Sequence, residues 1–239
     1  MENNEASSQK GRTGDCVVEE YVVRVSDLDF SYDVGNFQIS IDNFKVQPNE
    51  KMAIVGPSGI GKTTLLNLLA GILAPSKGSI FVENHNVAQL GYEDRQDFRA
   101  LKMGLVFQEF ELLEYVNVLD NVLLPYRVSS VLKINNEVVE SAKNLCSDIG
   151  LGNKLNRYPG HLSQGERQRV AVCRALVTNP IVLLCDEPTG NLDSVNRDHV
   201  IEMLFRYSEN NSAPLITVTH DQDLLDRFDV LYDMNEVMS

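Results

Sequence analysis

Polar residues dominate the chain as far as about residue 16, after which apolar positions fall into regular patterns. Val22 to Val25 and Phe37 to Val46 alternate apolar with polar, which predicts strands that bury one face. Met52 to Val55 is short and uniformly apolar, and it runs straight into a glycine-rich loop. Beyond that loop Leu65, Leu66, Leu68, Leu69 and Ile72 recur at helical spacing, with Gly71 placed to stop the helix. Gly104 to Phe107 predicts a further buried strand. Helices are predicted over Asn117 to Leu124, Asn135 to Ile149 and Gln164 to Val177, so the stretch from about 91 to 160 is mostly helical. Two late runs, Ile181 to Cys185 and Leu215 to Val218, are apolar throughout, as strands covered on both faces of a parallel sheet must be. The whole pattern predicts a loose tail over residues 1–16 and one α/β domain over 17–239. Within that domain an antiparallel β region comes first, and a helical lobe at about 91–160 is inserted into a parallel-sheet core.

Composition narrows the partners. No stretch approaches the roughly 20 consecutive apolar residues needed to span a bilayer, and the polar start lacks the apolar segment of a secretory signal, so a cytoplasmic chain is expected. The 34 acidic against 21 basic residues give a net charge of −13, which sets nucleic acid aside as the main ligand. Cys16, Cys146, Cys173 and Cys185 lack the paired spacing of a zinc site and are expected to be free thiols.

The glycine loop carries the strongest chemical signal. Gly56, Pro57, Ser58, Gly59, Ile60, Gly61, Lys62 and Thr63 fit the phosphate-loop pattern G-x-x-x-x-G-K-[ST] between a strand and a helix, with Thr64 next in line. Glycines let backbone N–H groups curl toward phosphates, and the helix adds its positive end. Lys62 is expected to reach the terminal phosphates and Thr63 to hold Mg²⁺. The strand Ile181 to Cys185 ends on Asp186 and Glu187. Alternation along a strand would aim these acids apart, giving Asp186 to the metal and Glu187 to the attacking water. Leu162, Ser163, Gln164, Gly165 and Glu166 open a helix in capping-box form, which by itself is no more than a well-capped helix.

In this order the motifs resemble the ATP-binding cassette family, over about Val22 to Glu236, with Leu162 to Glu166 similar to its signature loop. The resemblance implies a phosphate-loop ATPase fold, ATP and Mg²⁺ as ligands, and further roles for named positions. Gln108 matches the glutamine that touches the metal and senses a membrane partner, with an ordinary surface glutamine as the plainer alternative. His220 matches the switch histidine near the γ-phosphate, against a purely structural one. Asp193 looks like the aspartate that addresses the opposite subunit, against simple helix capping. Tyr32 is similar to the aromatic that stacks on adenine, against plain packing. His85, His161 and His199 match no motif and are read as structural.

A chain with one phosphate loop and a second anion-receptive helix start at Ser163 has a feature to spare. A two-fold dimer resolves this, each signature covering the ATP of the other copy. The resemblance implies that homodimer, and it implies an integral membrane permease subunit driven from the inner face of the membrane. Phe110 and Leu112, in the apolar segment after Gln108, are the candidate contacts to it, with the core of the helical lobe as the plainer reading for most of that segment. The motifs look most like the lipoprotein-release, macrolide-export and cell-division branch. Two departures stand out: Gln164 where many members have glycine, a costly exchange if that site needs a positive φ, and Asn235-Glu236 where relatives usually keep Asp-Gly. The chain ends soon after Asp233, so no regulatory C-terminal domain is expected. A soluble cassette ATPase with a non-membrane partner is the alternative. A phosphate-loop kinase or GTPase would leave Leu162 to Glu166 unexplained.

Overall fold

A computed structural model describes residues 21–35, 37–190 and 192–237; the expected tail and Cys16 lie outside these. The elements run β1 (Val23–Ser31), β2 (Gln38–Val46), β3 (Lys51–Val55), α1 (Lys62–Leu69), β4 (Lys77–Val82), β5 (His85–Asn86), α2 (Tyr92–Lys102) and β6 (Met103–Val106). They continue with α3 (Val118–Val122), α4 (Leu124–Val128), α5 (Asn136–Asp148), α6 (Gln164–Leu176), β7 (Val182–Asp186), α7 (Ser194–Asn211), β8 (Leu215–Val218), α8 (Gln222–Leu225), β9 (Val230–Asp233) and α9 (Met234–Val237).

Two sheets organise them. The first is antiparallel in the order β2-β1-β4-β5, and the second is parallel in the order β6-β7-β8-β3-β9. In β1 the inward residues are Val23, Val25, Leu28 and Phe30. The alternation slips at Asp27, whose φ of 49° marks a bulge where the register with β4 shifts. The parallel strands β7 and β8 are buried along nearly their whole length because structure covers both faces. On one face α1 and the antiparallel sheet pack against Ile54, Leu184, Ile216 and Val218; on the other α6 and α7 cover Leu183, Cys185 and Leu215.

Helix α1 ends where the glycine predicted. Gly71 has φ 64°, and the N–H groups of Gly71 and Ile72 return to the carbonyls of Leu68 and Asn67, which closes the helix in a Schellman turn. The predicted helix Asn117 to Leu124 is instead two short helices. Asn117 caps α3, and the chain breaks at Leu123 before α4, which has Pro125 in its first turn. The lobe has its own core of Val118, Val122, Ala142, Cys146, Leu151, Val170 and Cys173. Strand β6, inside the stretch expected to be the lobe, pairs with β7 and belongs to the parallel sheet. Cys146, Cys173 and Cys185 are free and buried.

Candidate active site

The carboxyl ends of β3, β6, β7 and β8 lie along one edge of the parallel sheet, and the chemistry collects there. From β3 the chain winds through residues 56–61 into α1, with Gly56, Gly59 and Gly61 all at positive φ. Gly61 combines φ 111° with a tight fit, since a Cβ there would sit 2.7 Å from Phe37 Cζ, so only glycine suits the last position before the helix. Left-handed turns leading into a helix N-terminus make an anion cradle. Pro57, Ser58 and Gly59 are exposed on it, while Ile60 packs back toward the core. Lys62 Nζ donates to the carbonyls of Gly56 at 2.9 Å and Pro57 at 3.0 Å, which poises its ammonium over the loop. Tyr32 stands beside this helix start. Its hydroxyl lies 3.2 Å from Thr64 Oγ1, its ring meets Phe30 edge-on, and 42% of it stays exposed.

Asp186 closes β7. Burial pushes its carboxyl above the usual range; a hydrogen bond from the Thr63 side chain works against this, the Glu187 charge adds to it, and the Lys62 charge opposes it. A partly desolvated carboxylate beside a threonine hydroxyl on the phosphate loop is a donor set that fits Mg²⁺. The two acids do diverge, but strand alternation is not the cause. Glu187 lies one residue past the strand at φ 45°, a left-handed turn held by its N–H donating to the Val218 carbonyl. Its Oε2 is 2.9 Å from His220 Nδ1, just beyond β8. The Glu187 side chain is 18% exposed and the His220 side chain 66%, so the acid is enclosed and the imidazole is free to turn outward.

Gln108 follows β6 and is exposed. Because Val106 pairs with Cys185, it reaches the edge level with Glu187. The loop after it turns through Phe110 and Glu111, and a groove of about 690 Å³ opens between α2, β6, α4 and the end of α6. Phe107, Leu105, Pro125, Val128 and Arg174 line the groove, with Glu93 and Asp97 on its α2 side, and Ser130 Oγ donates to Asp97 across it at 2.9 Å. Neither Phe110 nor Leu112, the candidate contacts to a membrane partner, lines this groove. Leu112 is partly buried against the lobe core, the plainer reading of this segment.

The signature residues stand apart. Ser163 and Glu166 form the predicted capping box on α6, the Glu166 N–H reaching Ser163 Oγ at 3.3 Å and the Ser163 N–H reaching Glu166 Oε2 at 3.0 Å. Burial would raise the Glu166 carboxyl, yet the ion pair with Lys154 and the Ser163 N–H outweigh it and hold it low. Gln164 is the exposed first residue of α6 and is not among the residues at positive φ, so the anticipated backbone cost of this departure does not arise. Gly165 is the constrained position: a Cβ there would lie 2.5 Å from Asn196 Cγ. Asp193 caps α7, accepting from Asn196 N at 3.0 Å and from Asn196 Nδ2 at 2.6 Å, while Arg169 of α6 donates to Asn196 Oδ1 at 2.6 Å. Among the described residues, the side-chain hydrogen bonds and ion pairs of Ser163, Glu166 and Asp193 go to Lys154, to the first turn of α7 at Val195 and Asn196, and within the capping box, and none reaches the phosphate loop.

Sequence reasoning overlooked the basic residues that brace these loops. Arg169 and Asn196 tie α6 to α7. Arg197 holds Asp221, the neighbour of His220, at 3.0 Å. Arg174 binds the Gln108 loop and had a legible signal, an arginine set in the apolar run Val170 to Leu176.

A phosphate loop, an acidic strand end and a histidine gathered at one edge of a parallel sheet define a phosphate-loop nucleotide hydrolase. The family described as ABC transporter matches residues 39–190, and the chain belongs to its ATP-binding cassettes. It is 37% identical to the lipoprotein-releasing system ATP-binding protein LolD of Hydrogenovibrio crunogenus, over 92% of this chain and 96% of that protein. It is 35% identical to the macrolide export ATP-binding/permease protein MacB of Rhodopirellula baltica, over 90% of this chain and 32% of that longer protein. Among solved structures, the dimeric post-hydrolysis ATP-binding cassette MJ0796 bound to ADP and phosphate superposes with a TM-score of 0.77 at 29% identity, over 88% of this chain and 93% of the other.

Proposed function

We propose that this cassette hydrolyses ATP as a homodimer on the inner face of a membrane and moves a separate permease subunit docked in the groove beside the Gln108 loop. Lys62 and the loop N–H groups neutralise the phosphates, and Tyr32 offers its exposed ring to adenine. Thr63, Asp186 and Gln108 would hold Mg²⁺, which when bound supplies further charge neutralisation. Glu187 takes the proton of the attacking water, and His220, whose Nδ1 lies 2.9 Å from the Glu187 Oε2, orients that carboxylate and reaches toward the γ-phosphate. Ser163, Gln164, Gly165 and Glu166 of one copy cover the ATP of the other, and Asp193 lies at the seam.

The observation that carries this reading is the separation within one chain. Phosphate loop, Asp186, Glu187 and His220 converge, whereas Ser163 and Asp193 spend their hydrogen bonds locally, so the site is half built until a second copy arrives. The lobe at about 91–160 carries the docking surface, and the names of the relatives, a lipoprotein-releasing system and an export permease, support a membrane subunit as its partner. No helix among the described residues is long and apolar enough to cross a membrane, which agrees with a peripheral subunit. Glu187→Gln with Mg-ATP is expected to bind nucleotide, stop turnover and elute as a dimer on size-exclusion chromatography. A strictly monomeric elution with ATP bound would refute the reading.

A further inference from the structure

Two successive residues that are not glycine, Phe110 at φ 61° and Glu111 at φ 48°, adopt left-handed backbone directly after Gln108. Such residues seldom do so one after the other, because the Cβ crowds the following carbonyl. Local bonds alone hold them poorly: Glu111 N reaches only to the Glu109 carbonyl at 2.6 Å, and Phe110 N to the Phe107 carbonyl at 3.3 Å. The fastening comes from 63 and 64 residues away. Arg174 Nη2 donates to the Phe110 carbonyl at 2.8 Å, and Nη1 donates to the Glu111 carbonyl. Arg174 is 8% exposed on the last turn of α6, where burial works against its charge and the Glu111 carboxylate favours it.

We infer that Arg174 is a positioning residue that clamps the Gln108 loop to α6, so that the helix capped by Ser163 and the loop bearing Gln108 move as one piece. Three observations converge on it. The fork of a guanidinium matches two adjacent carbonyls, which a lysine ammonium cannot span with the same geometry. The clamp occupies the helix whose first turn holds the signature, so a shift of α6 on dimer closure is carried to the loop. Arg174 also lines the groove beside Phe107, so a segment seated there presses on the same side chain. The catalytic half of this inference rests on the function proposed above; the clamp itself does not.

The test uses the full chain with Arg174→Lys and Arg174→Gln. A glutamate-specific protease, with products identified by mass spectrometry, reads opening of the loop after Glu109 and Glu111. Cleavage there is expected to accelerate about tenfold in both variants, with other glutamate sites and the melting temperature little changed. Steady-state kinetics should show kcat lowered about tenfold at nearly constant KM for ATP, as for a group that places others. Adding Glu111→Gly to Arg174→Lys should recover most of the lost kcat, because glycine takes the left-handed backbone unaided. Unchanged cleavage after Glu109 overturns the clamp, as does acceleration spread evenly over all glutamate sites. Faster local cleavage with wild-type kcat, or no rescue by glycine, overturns its role in hydrolysis. A wild-type chain that hydrolyses no ATP would overturn the function proposed above, while the cleavage comparison would still decide the clamp.

Discussion

Substituting Gly165 by alanine isolates the junction between the signature helix and the start of α7. The added Cβ would lie 2.5 Å from both Cγ and Oδ1 of Asn196, whereas ordinary contacts begin near 3.4 Å, so the Asn196 side chain must retreat by roughly 1 Å. That side chain is bonded at 2.6 Å to both Asp193 and Arg169, and a displacement of that size breaks at least one of the two. Overpacking of this kind costs about 1–3 kcal/mol. Alanine in place of glycine within a helix returns about 1 kcal/mol. The net loss of about 0–2 kcal/mol lowers the melting temperature by several degrees at most in a domain of this size. Activity should suffer more than stability, because a misplacement of about 1 Å at a composite site can cost 100-fold in rate. Gln164→Gly next door should leave hydrolysis within about twofold, since Gln164 already has ordinary backbone angles at the helix start. Thermal melts by circular dichroism and phosphate-release assays on both variants provide the comparison. Full activity in Gly165→Ala, or a marked gain in Gln164→Gly, would refute the reasoning.

Two further outcomes follow from buried polar groups. Burial raises the folded-state pKa of Asp186 above its ordinary 3.8, so the native chain binds that proton more tightly than the unfolded one, and its contribution to stability is lost as pH rises through the raised value. Asp186→Asn should therefore melt higher than wild type at neutral pH, with the difference shrinking on acidification, while losing Mg-dependent hydrolysis; a melting temperature below wild type at neutral pH would contradict this. Asn121, fully buried, accepts from Leu113 N and donates to the carbonyls of Leu113, Val116 and Asn117. Asn121→Ala strands several buried groups and should cost about 3 kcal/mol, seen as a lower denaturant midpoint at constant slope.

The phosphate loop and the acidic strand were legible because both rest on local order: a strand, a fixed run of residue types, a helix. Helix α2 and strand β9 were harder to read. Only Phe98 of α2 is buried, which leaves little apolar periodicity, and β9 exposes Val230 and Leu231 at a sheet edge. The left-handed backbone at Phe110, Glu111 and Glu187 was invisible, since neither phenylalanine nor glutamate favours it and the bonds that impose it come from Arg174 and from β8. In the same way, the strictness at position 165 depends on Asn196, about thirty residues downstream.

The three buried thiols give the molecule internal gauges of its own opening. Cys185 lies in the central sheet, where burial pushes its thiol well above the usual range, and Cys146 and Cys173 lie in the lobe core. An alkylating reagent can reach any of them only when its surroundings come apart. With Cys16 replaced by serine, the order in which these thiols are labelled would report whether lobe and sheet breathe together or one before the other, with no dye or tag attached.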